Sequence, residues 1–278
     1  MITFPNCKIN LGLKVLGKRP DGFHDIESVF YPVPIRDALE VIHTHKSIDT
    51  LKFSSSGYQI SSSEDNLCIK AYKLITANFG SLPSFQMHLH KAIPIGAGLG
   101  GGSANAAFTL KLLNQDLALN LSTEKLLEYA MLLGSDVPFF ILNKPCFTKG
   151  RGEILHPIPL DLSGFKIIVV YPGIHISTAW AFSQLSLTGT ISLINTFPIS
   201  EIVKQPPANW NQHLTNDFEP IVFNQYPEIK EIKRTLSEAG ATYCSMSGSG
   251  STVYALFQKD ETISFDFPSS YLVKSFIL

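Results

Sequence analysis

Five of the seven residues from Gly96 to Gly102 are glycine, inside the block Pro94-Ile95-Gly96-Ala97-Gly98-Leu99-Gly100-Gly101-Gly102-Ser103-Ala104-Asn105-Ala106-Ala107. Glycine loses more backbone entropy on folding than any other residue, so this density belongs where a chain must bend sharply or be closely approached. A simple tight turn needs only about one or two glycines. A strand pattern precedes the block, with Phe85, Met87 and Leu89 alternating with Gln86, His88 and His90. A helix pattern follows, with Ala104, Ala107, Phe108 and Leu112 as its expected buried stripe and Ser103 as its expected N-cap. A glycine loop entering a helix presents unpaired N–H groups and the positive end of the dipole, which together favour phosphate.

Charge narrows the class of ligand. Lys plus Arg is 22 and Asp plus Glu is 23 in 278 residues, a net charge of −1 that argues against bulk nucleic-acid binding. A local basic pocket for a phosphorylated small molecule remains compatible with it. Cys7, Cys68, Cys146 and Cys244 are scattered, form no CxxC pair and read as free thiols of a reducing compartment. The first residues show no secretory pattern and the apolar runs are strand-length, so a cytoplasmic protein without membrane contact is expected.

Other segments read as follows. Residues 3–16 alternate as a strand, which puts Lys8 and Asn10 together on its polar face. A helix is expected from an Asp65 cap to Gly80, and another from Ser122 to Leu133 ahead of Gly134. Residues 167–171 read as a buried strand, Ser177 as the cap of a short helix carrying Trp180 and Phe182, and 186–213 as mostly loop. Pro227 opens a helix with the stripe Ile229, Ile232 and Leu236, ending at Gly240. A small-residue loop, Ser247 to Ser251, then precedes a strand from Thr252 to Phe257. Strands and helices mix without regular alternation, which predicts an α+β chain of two domains, 1–155 and 156–278.

Several motif readings compete. Gly96-x-Gly98-x-x-Gly101 fits the dinucleotide fingerprint and with it an NAD(P)-dependent oxidoreductase, but no acidic residue closing a second strand follows at the required spacing. Gly12-x-x-x-x-Gly17-Lys18-Arg19 misses the Walker loop, since Arg19 stands at the Ser/Thr position. His43 with His45, and His88 with His90, share strand faces, but no acid or cysteine completes a metal site.

The 94–107 block as a whole resembles the phosphate-binding loop of the GHMP kinases, the superfamily of galactokinase, homoserine kinase and mevalonate kinase. Lys8-Ile9-Asn10-Leu11-Gly12-Leu13, Arg19-Pro20-Asp21-Gly22-Phe23-His24, Glu64-Asp65-Asn66-Leu67, Gly134-Ser135-Asp136-Val137-Pro138, Gly150-x-Gly152-Glu153 and Ser247-Gly248-Ser249-Gly250 extend the likeness over nearly the whole chain. Together they resemble the branch that phosphorylates the 2-hydroxyl of a cytidine diphosphate derivative of methylerythritol, in the non-mevalonate route to isoprenoids.

The resemblance implies a two-domain fold, an N-terminal ATP-binding domain and a ferredoxin-like C-terminal one, with ATP and Mg²⁺ as cofactors. It makes Asp136 the base for the acceptor hydroxyl and Lys8 the cation that holds Asp136 and orients that hydroxyl. Asn10 would hydrogen-bond the substrate. Phe23, His24 and Phe182 would receive the cytidine, the two phenylalanines on either face of the base and His24 at its edge; core packing is the other reading of Phe182. Asn66, Lys91, Pro94, Gly96, Gly98, Leu99, Gly100, Gly101, Gly102 and Ser103 would bind the nucleotide, and Gly248 and Gly250 would approach the substrate diphosphate. No residue is assigned as the acidic metal ligand. A monomer or homodimer is expected, with no nucleic acid or membrane as partner. Phe23 stands where some relatives carry Tyr, and Ser247-Gly248-Ser249-Gly250 replaces a threonine-containing form.

Overall fold

The strand expected at the N-terminus forms in two pieces, β1 (Ile2–Thr3) and β2 (Asn6–Lys18), in a computed structural model of the chain. Pro5, which has no N–H to give a ladder, separates them. The structure describes residues 1–44, 50–60, 64–80, 82–188 and 197–278, and of 186–188 the backbone alone. There follow β3 (His24–Arg36), β4 (Ala38–Thr44), β5 (Leu51–Gly57), α1 (Leu67–Phe79), β6 (Ser84–Lys91), α2 (Gly101–Asp116), α3 (Thr123–Leu133) and α4 (Val137–Leu142). The remainder comprises β7 (Cys146–Lys149), β8 (Ile154–Pro157), β9 (Phe165–Tyr171), α5 (Thr178–Thr188), α6 (Ile199–Ile202), α7 (Glu219–Gln225), α8 (Pro227–Glu238), β10 (Tyr243–Met246), β11 (Val253–Gln258) and β12 (Leu272–Ile277).

These elements form two compact units that interleave in sequence. The first takes residues 1–7, 34–95 and 100–144, the second 8–33, 96–99 and 145–278. In the first, the sheet order is β1-β4-β6-β5, with β5 and β6 parallel and the other pairs antiparallel. Phe85, Met87 and Leu89 point into its core, as their alternation requires. Helix α2 is the hub of the helical layer, packing against α1, α3 and α4.

In the second unit, β10-β11-β9-β12 is an antiparallel sheet. Its order is that of the ferredoxin-like βαββαβ pattern. One crossover carries α5 to α8; the other, residues 259–271, contains no helix. There Ile263, Phe265, Phe267 and Tyr271 lie partly buried on the core cluster of Ile168, Val170, Ile232, Leu236 and Phe257. Phe265 and Phe267 stack at 5.2 Å. The stripe of α8 is buried as expected, with Ile229, Ile232 and Leu236 between 0% and 2% exposed. A second sheet has the order β2-β3-β7-β8.

Several local expectations need correction. The cap of α1 is Asn66, not Asp65: its Oδ1 accepts from the Cys68 N–H at 2.9 Å. The cap of α2 is Gly100 in the left-handed conformation, φ 68°, which places Ser103 inside the first turn. Phe108 is half-buried on that helix, while Leu110 and Leu113 join the buried stripe. The polar face of β2 does not meet solvent, because both faces of the strand are covered from Asn6 to Val15. Ser177 caps α5 as expected, accepting from the Trp180 N–H at 3.4 Å. Of the segment 186–213, residues 189–196 lie outside the described residues, and 197–213 holds α6 and a short 3-10 turn, Pro207–Asn209.

Candidate active site

Strand β2 carries Lys8, Asn10 and Gly12 into the interior of the second unit. Lys8 is 4% exposed and Asn10 1%. The Lys8 ammonium donates to Asn10 Oδ1 and stands 4.5 Å from the centre of the Phe30 ring. Burying an ammonium is costly unless it is hydrogen-bonded, and these two neighbours supply an acceptor and an aromatic face. The Lys8 N–H donates to the Leu99 carbonyl at 3.0 Å, which ties the strand to the first half of the glycine loop.

That half of the loop lies against the turn between β10 and β11. Ser247 Oγ donates to the Gly98 carbonyl at 2.8 Å, and the Thr252 N–H to the Ala97 carbonyl at 3.3 Å. Gly98 has φ +77°, and a Cβ there would stand 2.0 Å from the Ser247 carbonyl oxygen. Glycine is therefore required at 98 both by conformation and by close backbone approach. Gly248 faces Gly98 in return. Lys8, Asn10, Gly98, Leu99 and Gly248 thus form one constellation. Gly250 sits just beyond it, toward Met246 and Ile176. Asn216, 2% exposed, supports the turn by donating to the carbonyls of Met246 and Gly248, each at 2.8 Å. Asn216 carries no motif signal; its partners lie about thirty residues away.

A second cluster in the same unit is aromatic. The rings of His24 and Phe182 stack at 4.5 Å with 15° between planes. Phe182 also meets Phe218 edge-on at 4.9 Å and packs on the core, so it both lines this cluster and belongs to the interior. Phe23 is half exposed, and the Arg151 guanidinium lies 4.6 Å from its ring centre. The ring that covers Phe182 is therefore His24, while Phe23 is paired with Arg151. Burial, with Lys18 nearby, holds the His24 imidazole below its ordinary pKa, which favours its neutral form.

In the first unit the second half of the loop becomes the start of α2. Gly100 offers no side-chain cap, so the first N–H groups of a 16-residue helix have no side-chain acceptor from it. Beneath Gly101 lies Lys91: a Cβ on that glycine would stand 2.8 Å from Nζ. The Lys91 ammonium is buried and paired with Asp37. Burial pushes its pKa down, and Asp37 pulls it back up. Asp37 also accepts from the N–H groups of Ala92 and Ile93, each at 2.8 Å, and from Asn105 Nδ2 at 2.7 Å. Asp37 was not foreseeable from spacing, since nothing around it forms a pattern. Pro94 is buried, Gly102 is exposed and a Cβ there would reach Leu67, the first residue of the helix that Asn66 caps. Asp136 stands at the N-terminal end of α4, where its side chain makes no capping hydrogen bond.

The sheet topology speaks against the dinucleotide-binding alternative. Among the described residues, the sheet that holds β6 gains no later strand after α2, so the loop lacks the second parallel strand of a dinucleotide-binding unit. His45 lies outside the described residues. His88 pairs with Ser54 and Ser56, His90 with Ser56, and no group of three or more metal-ligating side chains occurs among the described residues. All four cysteines are buried and outside any disulfide, and among the described residues no helix is long and apolar enough to cross a membrane.

Comparison with known proteins agrees with this geometry. Residues 66–144 match the model of the GHMP kinases N terminal domain, and residues 199–265 that of the GHMP kinases C terminal. The 4-diphosphocytidyl-2-C-methyl-D-erythritol kinase of Bacteroides fragilis is 48% identical over 98% of this chain and 97% of its own length. The same-named protein of Bacteroides thetaiotaomicron is 48% identical over 95% and 94%. A crystal structure of 4-(cytidine 5'-diphospho)-2C-methyl-D-erythritol kinase superposes with a TM-score of 0.78 at 30% identity, covering 92% of this chain and 90% of that one. The homoserine kinase of Cytophaga hutchinsonii, at 17% identity and a TM-score of 0.65, shares the fold. With near-complete coverage at this identity, and with the glycine loop, the buried Lys8–Asn10 pair and the late serine–glycine turn all in place, the chain belongs to the 4-diphosphocytidyl-2-C-methyl-D-erythritol kinase family of the GHMP kinases.

Proposed function

We propose that the chain catalyses ATP-dependent phosphorylation of the 2-hydroxyl of 4-diphosphocytidyl-2-C-methyl-D-erythritol, a step in the non-mevalonate supply of isoprenoid precursors. The observation that carries the reading is the buried Lys8 ammonium, held by Asn10 on a strand tied to the glycine loop at Leu99. The relatives' activity supplies the identity of the acceptor.

The residues suit a polyphosphate. Gly96, Gly98 and Gly100 all have positive φ, which turns the backbone sharply, and the α2 terminus that follows favours an anion. Bound ATP supplies the phosphoryl group and Mg²⁺ offsets its charge. Mg²⁺ in such sites takes about one or two protein ligands and otherwise phosphate oxygens and water, so a preformed cluster is not needed. Ser103, in the first turn of α2, is the hydroxyl we assign to the metal or the β-phosphate. Asn66 and Lys91 are assigned to the nucleotide side, Lys91 through the positive charge it holds under Gly101.

In the transfer itself, Asp136 accepts the proton of the acceptor hydroxyl, and Lys8 supplies positive charge where negative charge develops. His24, neutral and braced by Phe182, reads the edge of the cytosine, while Phe23 offers a ring face for stacking. Gly248 and Gly250 let backbone approach the substrate diphosphate.

A coupled ADP-release assay tests the reading with a panel of the cytidyl substrate, homoserine, mevalonate and galactose. Turnover confined to the cytidyl substrate is expected. Equal turnover of an acceptor without cytidine overturns the acceptor assignment, and tight binding of NAD without ATP binding overturns the kinase.

A further inference from the structure

Asn10 is engaged at every polar group. Its N–H donates to Ser247 Oγ at 3.2 Å, and its carbonyl accepts from the Tyr254 hydroxyl at 2.7 Å. Its Oδ1 accepts from Lys8 Nζ, and its Nδ2 donates to Ser28 Oγ at 2.9 Å. Ser28 Oγ in turn donates to the Gly12 carbonyl at 2.6 Å.

The direction of this chain follows from the donor inventory. An ammonium only donates, so the amide oxygen must face Lys8 and the amide nitrogen must face Ser28. The Ser28 oxygen must then accept, and its one proton goes to Gly12. Gly12 itself has φ +64°, and a Cβ there would stand 2.5 Å from the Leu214 side chain, so the acceptor at the end of the relay sits on a backbone that cannot easily shift. Ser28 is 0% exposed on β3. Phe30, two residues on, faces the same side of the strand and places its ring beneath the same ammonium.

We propose that Ser28 is a positioning residue for the phosphoryl transfer: its hydroxyl fixes the orientation of the Asn10 amide and thereby the place of the Lys8 ammonium. The proposal rests on the role given to Lys8 above. Without the Ser28 oxygen, the amide nitrogen loses its acceptor. A turned amide would present its own N–H groups to a cation, which repels Lys8 from its seat. A serine that merely satisfied the Gly12 carbonyl would affect stability but not the work of Lys8.

The two roles separate in a double-mutant cycle of Ser28→Ala and Lys8→Met, with kcat, both KM values and the thermal midpoint measured for each variant. Ser28→Ala is expected to lower kcat about tenfold, the scale of one hydrogen bond linked to a charge. The KM for ATP is expected to stay within about twofold. On the Lys8→Met background, the same substitution should cost no further rate. An unchanged kcat for Ser28→Ala overturns the proposal, as does an equal loss on both backgrounds. Should Ser28→Ala not fold, Ser28→Cys, close in volume and a poor acceptor, carries the same comparison. Wild-type turnover by Lys8→Met alone would instead refute the role of Lys8, so the two failures are distinguishable.

Discussion

At the scale of single residues, the proposed base is the sharpest point of attack. Asp136 begins a short helix without capping it, so a helix-capping role does not account for its carboxylate. Asp136→Asn keeps the size and removes the proton acceptor. Turnover is expected to fall by roughly 10²-fold or more, the usual span for general acid–base groups, with nucleotide affinity by calorimetry unchanged. Near-normal turnover would return Asp136 to a structural role. Strand periodicity alone paired Lys8 with Asn10, but on a face expected to meet water. The pair is buried because the partners that cover it, Ser28, Ser247 and Tyr254, come from 18, 237 and 244 residues away. Local pattern carries no information about such contacts, so Ser28, Asn216 and Tyr254 were out of its reach.

At the scale of elements, the Asp37–Lys91 pair joins the end of β6 to α2 through Asn105 and the N–H groups of Ala92 and Ile93. Asp37→Ala strands a buried ammonium and leaves three donors without their acceptor. The expected loss is about 3–5 kcal/mol of stability, as for other broken buried ion pairs, measurable by urea unfolding. A loss below about 1 kcal/mol, the range of a surface pair, would show that water reaches Lys91 freely. Helix α8 was legible from its apolar stripe, and α1, α3 and α8 all from Gly80, Gly134 and Gly240 at their ends. Their exact caps were less so, since Asp65 and Asn66 are both good caps and only the backbone decides between them. Strand β3 gave no readable pattern because Pro32 and Pro34 interrupt it and its exposure does not alternate cleanly.

At the scale of the whole molecule, the family models match residues 66–144 and 199–265 and the relatives nearly the whole chain, and the motifs that carry the likeness were visible without any coordinates. What they did not show is how the second unit closes its sheet. The crossover from β11 to β12 keeps a strand-like rhythm from Glu261 to Phe267, alternately half-buried and exposed, yet residues 263–267 form no backbone–backbone hydrogen bond among the described residues. Among the described residues, its side chains hold it down. In hydrogen exchange, the amides of Ile263–Phe267 are expected to lose protection orders of magnitude faster than those of Val253–Phe257, which sit in the ladder. Equal protection would mean that the crossover opens only with the global unfolding of its unit. A segment fastened by aromatic weight rather than by a ladder can let go while the rest stays folded. When it takes β12 with it, β9, whose Ile167, Ile168, Val169 and Val170 are all buried, changes from an interior strand to an open edge. That edge is a template for the same strand of another molecule, so the shelf life of this enzyme is expected to be set at β12, by self-association that starts before the core has melted.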